Sequence, residues 1–429
     1  MSLTSLRRSG RPGDEDAVPG MPPAQHPFWS RLESPLSTYY LLVAVVAALM
    51  LIGLIMVLSA SSVASLRNGG SSYTVFLKQA QFAVLGVLAC VVASRLPTLA
   101  WRRLAIPLLL VAVGLQALVF TPLGFAVLGN RNWLRLGPIQ VQPSEIGKLA
   151  IVVYGAAVLA TKRRLLRQWR HAIVPLLLPS GALLVGLVLL GRDLGTALVL
   201  LAILAGLLWA AGVSARLFGL AGAVGALGVA ALVLVSGNRM SRLNQWLSCT
   251  DVHQCWQSEH GRYALADGGL SGLGLGASRE KWLWLPEPHN DFIFAIIGEE
   301  LGIGGTLMVL VLFALLALAC YRIVLRTDDP FVRVATAGVM TWVLVQAMIN
   351  IGSVIGALPV IGVPLPLVSS GGSALVTTLF ALGMVISFAR NEPACRRALA
   401  ARPKVVSRSL AVFTARRTRG TRAARGTRR

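Results

Sequence analysis

Charged residues are scarce in this chain of 429 residues. They make up 13% of the sequence, whereas 55% of it is hydrophobic. A soluble protein needs more solvated side chains than this to cover its surface. The composition therefore excludes an ordinary soluble globular protein and indicates that lipid surrounds most of the chain.

Acidic residues are the scarcer of the two signs. There are 17 of them against 40 Lys and Arg, which gives a formal net charge of +23. Such an excess can indicate nucleic-acid binding, but here the basic residues lie between apolar runs and are not interleaved with aromatic residues on one domain. We therefore expect no nucleic-acid partner.

Long apolar runs are the dominant feature of the sequence. A membrane-spanning helix needs about 20 mostly apolar residues, and ten runs qualify. They are residues 38–59, 74–94, 104–124, 145–161, 172–191, 195–213, 217–236, 301–321, 332–353 and 373–390. The predicted fold class is an all-α polytopic membrane protein with ten transmembrane helices. The predicted membrane domain covers 36–392 with a large loop at 237–290, between disordered tails at 1–35 and 393–429.

The basic residues also predict the orientation. With the N-terminus in the cytoplasm, 29 of the 40 Lys and Arg but only seven of the 17 acidic residues fall on the cytoplasmic side. This asymmetry follows the positive-inside rule. We expect a multi-pass protein of the cytoplasmic (inner) membrane with both ends in the cytoplasm. The basic segment 396–429 is expected to be attracted to anionic lipid headgroups rather than to a specific partner.

Cysteine is rare, with five residues in the chain. Only Cys249 and Cys255 lie in the large loop, which faces the oxidising outer side, so we expect a disulfide between them. Two free thiols are the alternative, and a zinc site is less expected because the nearby histidines complete no familiar ligand spacing. The other cysteines lie in apolar runs or in the cytoplasm: Cys90, Cys320 and Cys395.

Polar residues at the outer ends of the spans form a first candidate cluster. Arg131 and Arg135 precede Pro143, which suits a helix N-terminus. Glu145 and Lys148 are then i, i+3 neighbours that can pair. Polar groups at membrane depth are costly unless they are paired or hydrated. A structural ion pair and a contact to substrate are both open for these two residues.

Two further clusters follow along the chain. Arg192 and Asp193 occupy a tight turn between two spans, where a charge pair could simply cap helix ends. The glycine-rich stretch 268–276 lacks the context of a dinucleotide-binding or phosphate-binding loop. It leads to Asp291, which opens an apolar helix whose dipole favours the ionised carboxylate. An N-cap role is the simpler interpretation of Asp291.

These motifs together resemble the SEDS family (shape, elongation, division and sporulation), whose members include FtsW, RodA and SpoVE. The resemblance covers residues 38–392. Its most specific parts are Leu285–Phe294, Gly298–Gly302 and Gly362–Ser373, with Gln142–Glu145 and Asp193–Thr196 in matching order.

The resemblance implies a peptidoglycan glycosyltransferase that polymerises lipid II at the outer face of the membrane, with a class B penicillin-binding protein and other division-complex proteins as partners. Asp291 would be the essential carboxylate. Asn290 stands where we expect a threonine, and Val360–Val363 looks like the elongation type. Ile296–Glu300 and the long tails look like the division type, which we favour.

The implied reaction needs a base and cations. The C4 hydroxyl of an acceptor sugar attacks the anomeric carbon of a donor and releases polyprenyl diphosphate with inversion. Asp291 is the expected general base, and cations would stabilise the diphosphate. The substrate-binding candidates are Arg131, Arg135, Lys148, Glu145, Lys78, Gln79, Asp193, Lys281, His289, Glu287, Ser369 and Ser373, with Arg192 and Arg279 as further cations.

A divalent cation, Mg²⁺ or Mn²⁺, is an additional expectation. Glu287, His289 and Asp291 are spaced by two and would share one face of an extended segment around such an ion.

Two other function classes remain open at this stage. A transporter would flip lipid II across the membrane, but transporters often contain inverted repeats, and the sequence shows no clear repeat. A non-catalytic scaffold would make Asp291 dispensable.

Overall fold

The computed structural model describes residues 35–400 except 68–69, 128, 138, 166–173, 175, 236, 249–251 and 283. The described chain is mostly helical. Its α-helices are α1 (Pro35–Arg67), α2 (Thr74–Arg95), α3 (Thr98–Leu118), α4 (Pro143–Thr161), α5 (Leu183–Leu190), α6 (Leu194–Ala210), α7 (Ala215–Val235), α8 (Gly237–Leu247), α9 (Val252–Gly268), α10 (Ile293–Arg326), α11 (Pro330–Val354), α12 (Gly372–Asn391) and α13 (Pro393–Ala400). Most of the two predicted tails lies outside the described residues.

Seven of these helices are long and apolar enough to cross a membrane, namely α1, α2, α3, α4, α10, α11 and α12. Three shorter apolar helices cover Ser180–Leu190, Leu194–Ala210 and Ala215–Gly228. They match the fifth, sixth and seventh predicted runs. The chain is therefore a multi-pass membrane protein, and the count of ten spans stays a prediction.

The expectation of an all-α fold was incomplete. Residues after α3 form a three-stranded antiparallel sheet of β1 (Gly124–Val127), β2 (Asn130–Leu136) and β3 (Ile139–Val141). The third predicted span extended to residue 124, but α3 ends at Leu118. Burial alternates along β2, with Asn132 and Leu134 buried and Arg131 and Arg135 exposed, as in a strand with two different faces. The residue types do not alternate in the same way, and the short strand gave no signal comparable to that of an apolar run.

The predicted loop 237–290 contains two helices, α8 and α9. Helix α10 begins at Ile293, before the predicted span start at 301, and includes Glu299 and Glu300. Hydropathy placed the start after these glutamates because charges rarely enter a span unpaired. Both carboxylates are paired in the structure, so the helix begins earlier.

The interior of the bundle is formed where α4, α6 and α11 pack closely. A Cβ at Gly155 or at Gly338 would lie 2.7 Å from the side chain of Leu207. Glycine at both positions lets α4 and α11 approach α6. Gly206 on α6 is a third close contact, since a Cβ there would lie 2.3 Å from Thr341 Oγ1 on α11. Described residues of 119–142 contact 191–193, and described residues of 237–292 contact 355–371. We call the end of the bundle that these segments form the outer end, because the charge asymmetry predicts that it faces away from the cytoplasm.

Candidate active site

The segment 355–371 between α11 and α12, here called the hub loop, lies beside Asp291. Asn350 on α11 donates hydrogen bonds of 2.8 Å from its Nδ2 to the carbonyls of both Asp291 and Val363. A Cβ at Gly362 would lie 3.5 Å from Asp291 Oδ2. The N-cap position of α10 is occupied by Phe292 rather than by Asp291. Asp291 therefore lies directly before that position, and a capping role for it stays a prediction.

The hub loop also fixes the two residues before Asp291. Ser369 Oγ donates to the Asn290 carbonyl at 2.6 Å and accepts from the Leu365 amide at 2.8 Å. The Ser370 amide donates to the His289 carbonyl at 2.9 Å. Three consecutive carbonyls, from His289 to Asp291, are thus held by neighbouring donors. This arrangement sets the direction of the Asp291 side chain through its main chain.

Backbone strain is concentrated around the same segments. Among the described non-glycine residues, positive φ occurs at Arg192 (66°), Glu287 (50°) and Leu367 (66°). Each belongs to a stretch that the sequence analysis singled out. Strained conformations of this kind cost about 1–3 kcal/mol each and persist where the surroundings enforce them, commonly at functional sites.

Glu145 and Lys148 form a buried ion pair at the start of α4. Lys148 Nζ lies 2.8 Å from Glu145 Oε1, and both side chains are 3% exposed. Lys148 also donates to Gln346 Oε1 at 2.9 Å, and Gln346 Nε2 donates to the Pro364 carbonyl at 3.0 Å. The structural pairing is therefore present, and it connects α4 through α11 to the hub loop. Contact of this pair with substrate stays a prediction.

Asp193 caps α6 by accepting from the Thr196 amide at 2.9 Å and from the Thr196 hydroxyl at 2.7 Å. Gln142 lies between Asp193 and Ser373. Its side-chain Nε2 donates to Asp193 Oδ2 at 3.3 Å, and its main-chain amide donates to Ser373 Oγ at 3.3 Å. Two predicted site residues from distant spans are thereby brought together.

Gln79 on α2 contacts the hub loop from another side. Its Nε2 donates to the Ser369 carbonyl at 3.3 Å, and its Oε1 accepts from the Gly371 amide at 3.2 Å. The neighbouring Lys78 is exposed. The predicted cations Arg131, Arg135, Arg192 and Arg279 are exposed as well.

Lys281 differs from these exposed cations. It is 4% exposed, and its Nζ lies 3.1 Å from Glu300 Oε1 and 3.3 Å from Ser59 Oγ of α1. Ser59 Oγ donates to Glu300 at 2.6 Å. The structure thus gives Lys281 buried partners within the protein, and its contact with substrate stays a prediction.

Residues 269–281, here called the glycine-rich segment, include most of the glycine-rich stretch 268–276 and contact the kink of α10. Gly302 has φ 66° and ψ −160°, and the freed carbonyls of Glu299 and Glu300 accept from the amides of Leu273 and Gly274 at 2.9 Å. The Glu299 carboxylate accepts from Ser278 Oγ at 2.5 Å and from the Arg279 amide at 2.6 Å. These bonds satisfy the charges that enter the apolar helix.

Comparison with known proteins places this architecture in a family. The family model described as "Cell cycle protein", for FtsW, RodA and SpoVE, matches residues 39–393. The chain belongs to the FtsW/RodA/SpoVE family.

Relatives of this family are similar over most of the chain. A Mycobacterium tuberculosis protein named "Probable peptidoglycan glycosyltransferase FtsW" is 40% identical over 395 residues, which cover 91% of this chain and 75% of that protein. Stage V sporulation protein E of Bacillus subtilis is 36% identical over 355 residues, covering 82% of this chain and 96% of the relative.

Two solved structures of the family also match. One, described as "Structural coordination of polymerization and crosslinking by a peptidoglycan synthase complex", has a TM-score of 0.69 at 28% identity, covering 82% of this chain and 97% of that chain. The crystal structure of Thermus thermophilus rod shape determining protein RodA has a TM-score of 0.61 at 29% identity, covering 82% and 96%.

The expected metal ligands of this FtsW/RodA/SpoVE member are not gathered in the structure. Within the described ranges, no three His, Cys, Asp or Glu side chains form a group that could hold a metal ion. Glu287 instead accepts a hydrogen bond from Asn290 Nδ2. Burial lowers the pKa of His289, and the nearby Glu287 carboxylate opposes this effect.

The structure describes only one of the two cysteines of the predicted disulfide. Cys255 is disulfide-bonded, whereas Cys249 lies outside the described residues. The pairing between them stays a prediction.

The sequence analysis missed Gln346 and Asn350, which connect the hub loop to the rest of the site. Both are polar residues in an apolar helix, 2% exposed and four residues apart on one face of α11. Their position at membrane depth was the signal that could have found them.

The sequence analysis also missed Arg262 as an outer cation. Its Cδ lies 3.4 Å from the position that a Cβ would take at Gly356, which belongs to the hub loop.

Proposed function

We propose that the chain is a peptidoglycan glycosyltransferase that polymerises lipid II into glycan strands at the outer face of the cytoplasmic membrane. The observation that carries this function is the Asp291 carboxylate, fixed beside the hub loop in a member of a family whose relatives include named peptidoglycan glycosyltransferases. A single pre-positioned carboxylate at the water-facing end of a membrane bundle suits a reaction between lipid-linked sugars.

Asp291 acts as general base. It accepts the proton from the C4 hydroxyl of the acceptor sugar while the hydroxyl oxygen forms a bond to the anomeric carbon of the donor. The bond between that carbon and the diphosphate oxygen breaks, its electron pair leaves with the polyprenyl diphosphate, and the anomeric configuration inverts. A positioned base of this kind contributes roughly 10²- to 10⁴-fold in rate.

Exposed cations stabilise the charge of the leaving diphosphate. The predicted cations that remain exposed and able to reach a substrate are Arg131, Arg135, Arg192, Arg279 and Lys78. Lys148 and Lys281 serve mainly to hold the site together, since both are paired with buried glutamates. A divalent cation remains a separate prediction, which is tested by adding a chelator to the polymerisation assay.

The same proposal includes a crosslinking partner. A matched structure is described as coordinating polymerization and crosslinking in a peptidoglycan synthase complex, and this supports a class B penicillin-binding protein as the partner. The similarity to proteins named FtsW supports a role in cell division, alongside other division-complex proteins. A RodA-like role in cell elongation is the alternative.

The same proposal includes the topology. The three shorter apolar helices also cross the membrane and complete ten spans.

The deciding experiment combines the purified protein and its partner with lipid II. We expect glycan strands, detected by gel electrophoresis of labelled product. Transfer of lipid II across vesicles without any polymer would show a flippase instead. Neither polymer nor transfer would favour a scaffold.

A further inference from the structure

Three aromatic rings at the outer end form a compact cluster, which we call the aromatic platform. Trp284 lies over Trp256 and His260, with ring centroids 5.6 and 5.8 Å away and interplanar angles of 24° and 15°. Trp256 and His260 are themselves 4.1 Å apart. One face of Trp284 is covered by these rings, yet the residue is 52% exposed. Its other face is therefore open.

The rings of the platform are held in place by polar contacts. Trp256 Nε1 donates to the Trp284 carbonyl at 2.5 Å, and His260 Nδ1 lies 2.6 Å from Glu280 Oε2. The Glu280 carbonyl in turn accepts from the Leu285 amide at 3.0 Å. A ring that is already fixed loses little conformational entropy when a ligand binds to it.

The platform lies next to the segment that carries Asp291. Gly261 follows His260, and a Cβ at Gly261 would be 2.7 Å from the ring of Phe292. Phe292 directly follows Asp291. Helix α9, which carries two rings of the platform, thus contacts the residue that follows the proposed catalytic carboxylate.

We propose that the aromatic platform is a saccharide-binding subsite, in which a pyranose ring of the growing glycan strand stacks on the open face of Trp284. Pyranose rings present C–H groups that pack on aromatic faces, and the paired His260 and Glu280 supply polar atoms at the edge of the platform for hydroxyl groups. This inference rests on the proposed polymerase function.

An interfacial membrane anchor is the competing interpretation, because tryptophans are enriched at membrane surfaces. An anchoring ring needs no fixed stack of neighbours. Trp282 fits that description better, since it is 62% exposed and has no ring contact among the described residues. Trp282 therefore serves as the matched control for Trp284.

The test compares Trp284→Ala, Trp284→Tyr and Trp282→Ala in the full chain reconstituted with its partner. Binding of a soluble β-1,4-linked N-acetylglucosamine tetrasaccharide is measured by saturation-transfer NMR, and glycan strand length is measured after polymerisation of lipid II. We expect Trp284→Ala to weaken tetrasaccharide binding about tenfold, as loss of one aromatic contact would, and to shorten the strands. Trp284→Tyr should preserve both, and Trp282→Ala should change neither.

The outcomes separate the platform from the polymerase function and from folding. Asp291→Asn should slow polymerisation roughly 10²- to 10⁴-fold and leave tetrasaccharide binding intact. Binding that depends on Trp284 in a protein that makes no polymer would overturn the polymerase function alone. Wild-type protein that binds no tetrasaccharide, or Trp284→Ala protein with unchanged binding and strand length, would overturn the platform. Loss of binding in Trp284→Tyr protein that unfolds at the wild-type temperature would also overturn the platform.

The first turnover shows which sugar occupies the platform. If Trp284→Ala shortens the strands without slowing the first turnover, the sugar belongs to the growing strand, as proposed. A slower first turnover would contradict this and would show that the sugar belongs to lipid II.

Discussion

Asp291 is positioned through its main chain, by donors that come from two other parts of the chain. Asn350 is the donor that binds the Asp291 carbonyl directly and also the hub loop at Val363. Asp291 is 59 residues from Asn350 in sequence, and Val363 is 13 residues from it. A residue with no contact to the reacting atoms is therefore expected to control the placement of the carboxylate.

Replacing Asn350 with alanine should slow polymerisation while leaving the fold in place. Each lost hydrogen bond is worth about 1 kcal/mol, so we expect kcat to fall roughly tenfold or more and KM to change little. The measurement is the steady-state rate with lipid II. The matched control is Thr336→Ala on the same helix, at a buried hydroxyl with no hydrogen-bond partner among the described residues. Equal kcat in the two variants would contradict the positioning role of Asn350.

The Glu145–Lys148 pair allows its structural role to be separated from contact with substrate. Breaking a buried pair by removing one partner costs about 3–5 kcal/mol, whereas replacing both partners together costs far less. We expect Lys148→Met to lower the thermal unfolding midpoint strongly in detergent. The double variant Glu145→Gln/Lys148→Met should recover most of the loss.

The polymerisation activity of the Glu145→Gln/Lys148→Met variant then tests whether the pair also contacts substrate. Normal polymerisation would make the pair purely structural. Lost polymerisation at restored stability would show that Lys148 or Glu145 also contacts substrate.

At the scale of elements, the sequence predicted most helices because an apolar run of sufficient length has few alternatives in a membrane. Pro143 begins α4 as expected, and α12 (Gly372–Asn391) agrees closely with the predicted run at 373–390. The sheet around Arg131 and the early start of α10 were missed. The sheet was missed because its strands are only three to seven residues long. The start of α10 depends on partners distant in sequence, such as Ser59 for Glu300, which local hydropathy does not reveal.

The kink of α10 at Gly302 gives a test at this scale. Gly302 has a positive φ, and a Cβ there would lie 2.5 Å from the Gly272 amide nitrogen and 2.6 Å from the Leu270 carbonyl oxygen. Gly302→Ala should destabilise the protein by at least about 1–3 kcal/mol and detach the glycine-rich segment. Gly304→Ala is the matched control, because nothing lies within 4 Å of its Cβ position. Thermal unfolding of both variants is the measurement, and equal midpoints would show that the kink is not under constraint.

At the scale of the whole molecule, the outer end gathers polar residues from across the sequence onto the hub loop. Gln79 on α2, Gln142 before α4, Gln346 on α11 and the segment before α10 all contact it or its flanking residues. The sequence predicted several members of this site, including Asp291, Gln79, Asp193 and Ser369. It could not predict that the hub loop joins them, because that depends on how distant helices pack. The membrane bundle thus acts as a rigid support for one carboxylate.

The central claim is that this carboxylate takes a proton during polymerisation. The most direct measurement is the rate of glycan synthesis from lipid II by Asp291→Asn protein with its partner. The control is Asp267→Asn, which removes an exposed carboxylate of α9. A general base predicts a loss of roughly 10²- to 10⁴-fold for Asp291→Asn at unchanged thermal stability, and a near-normal rate for Asp267→Asn. Near-normal polymerisation by the Asp291→Asn protein would contradict the claim.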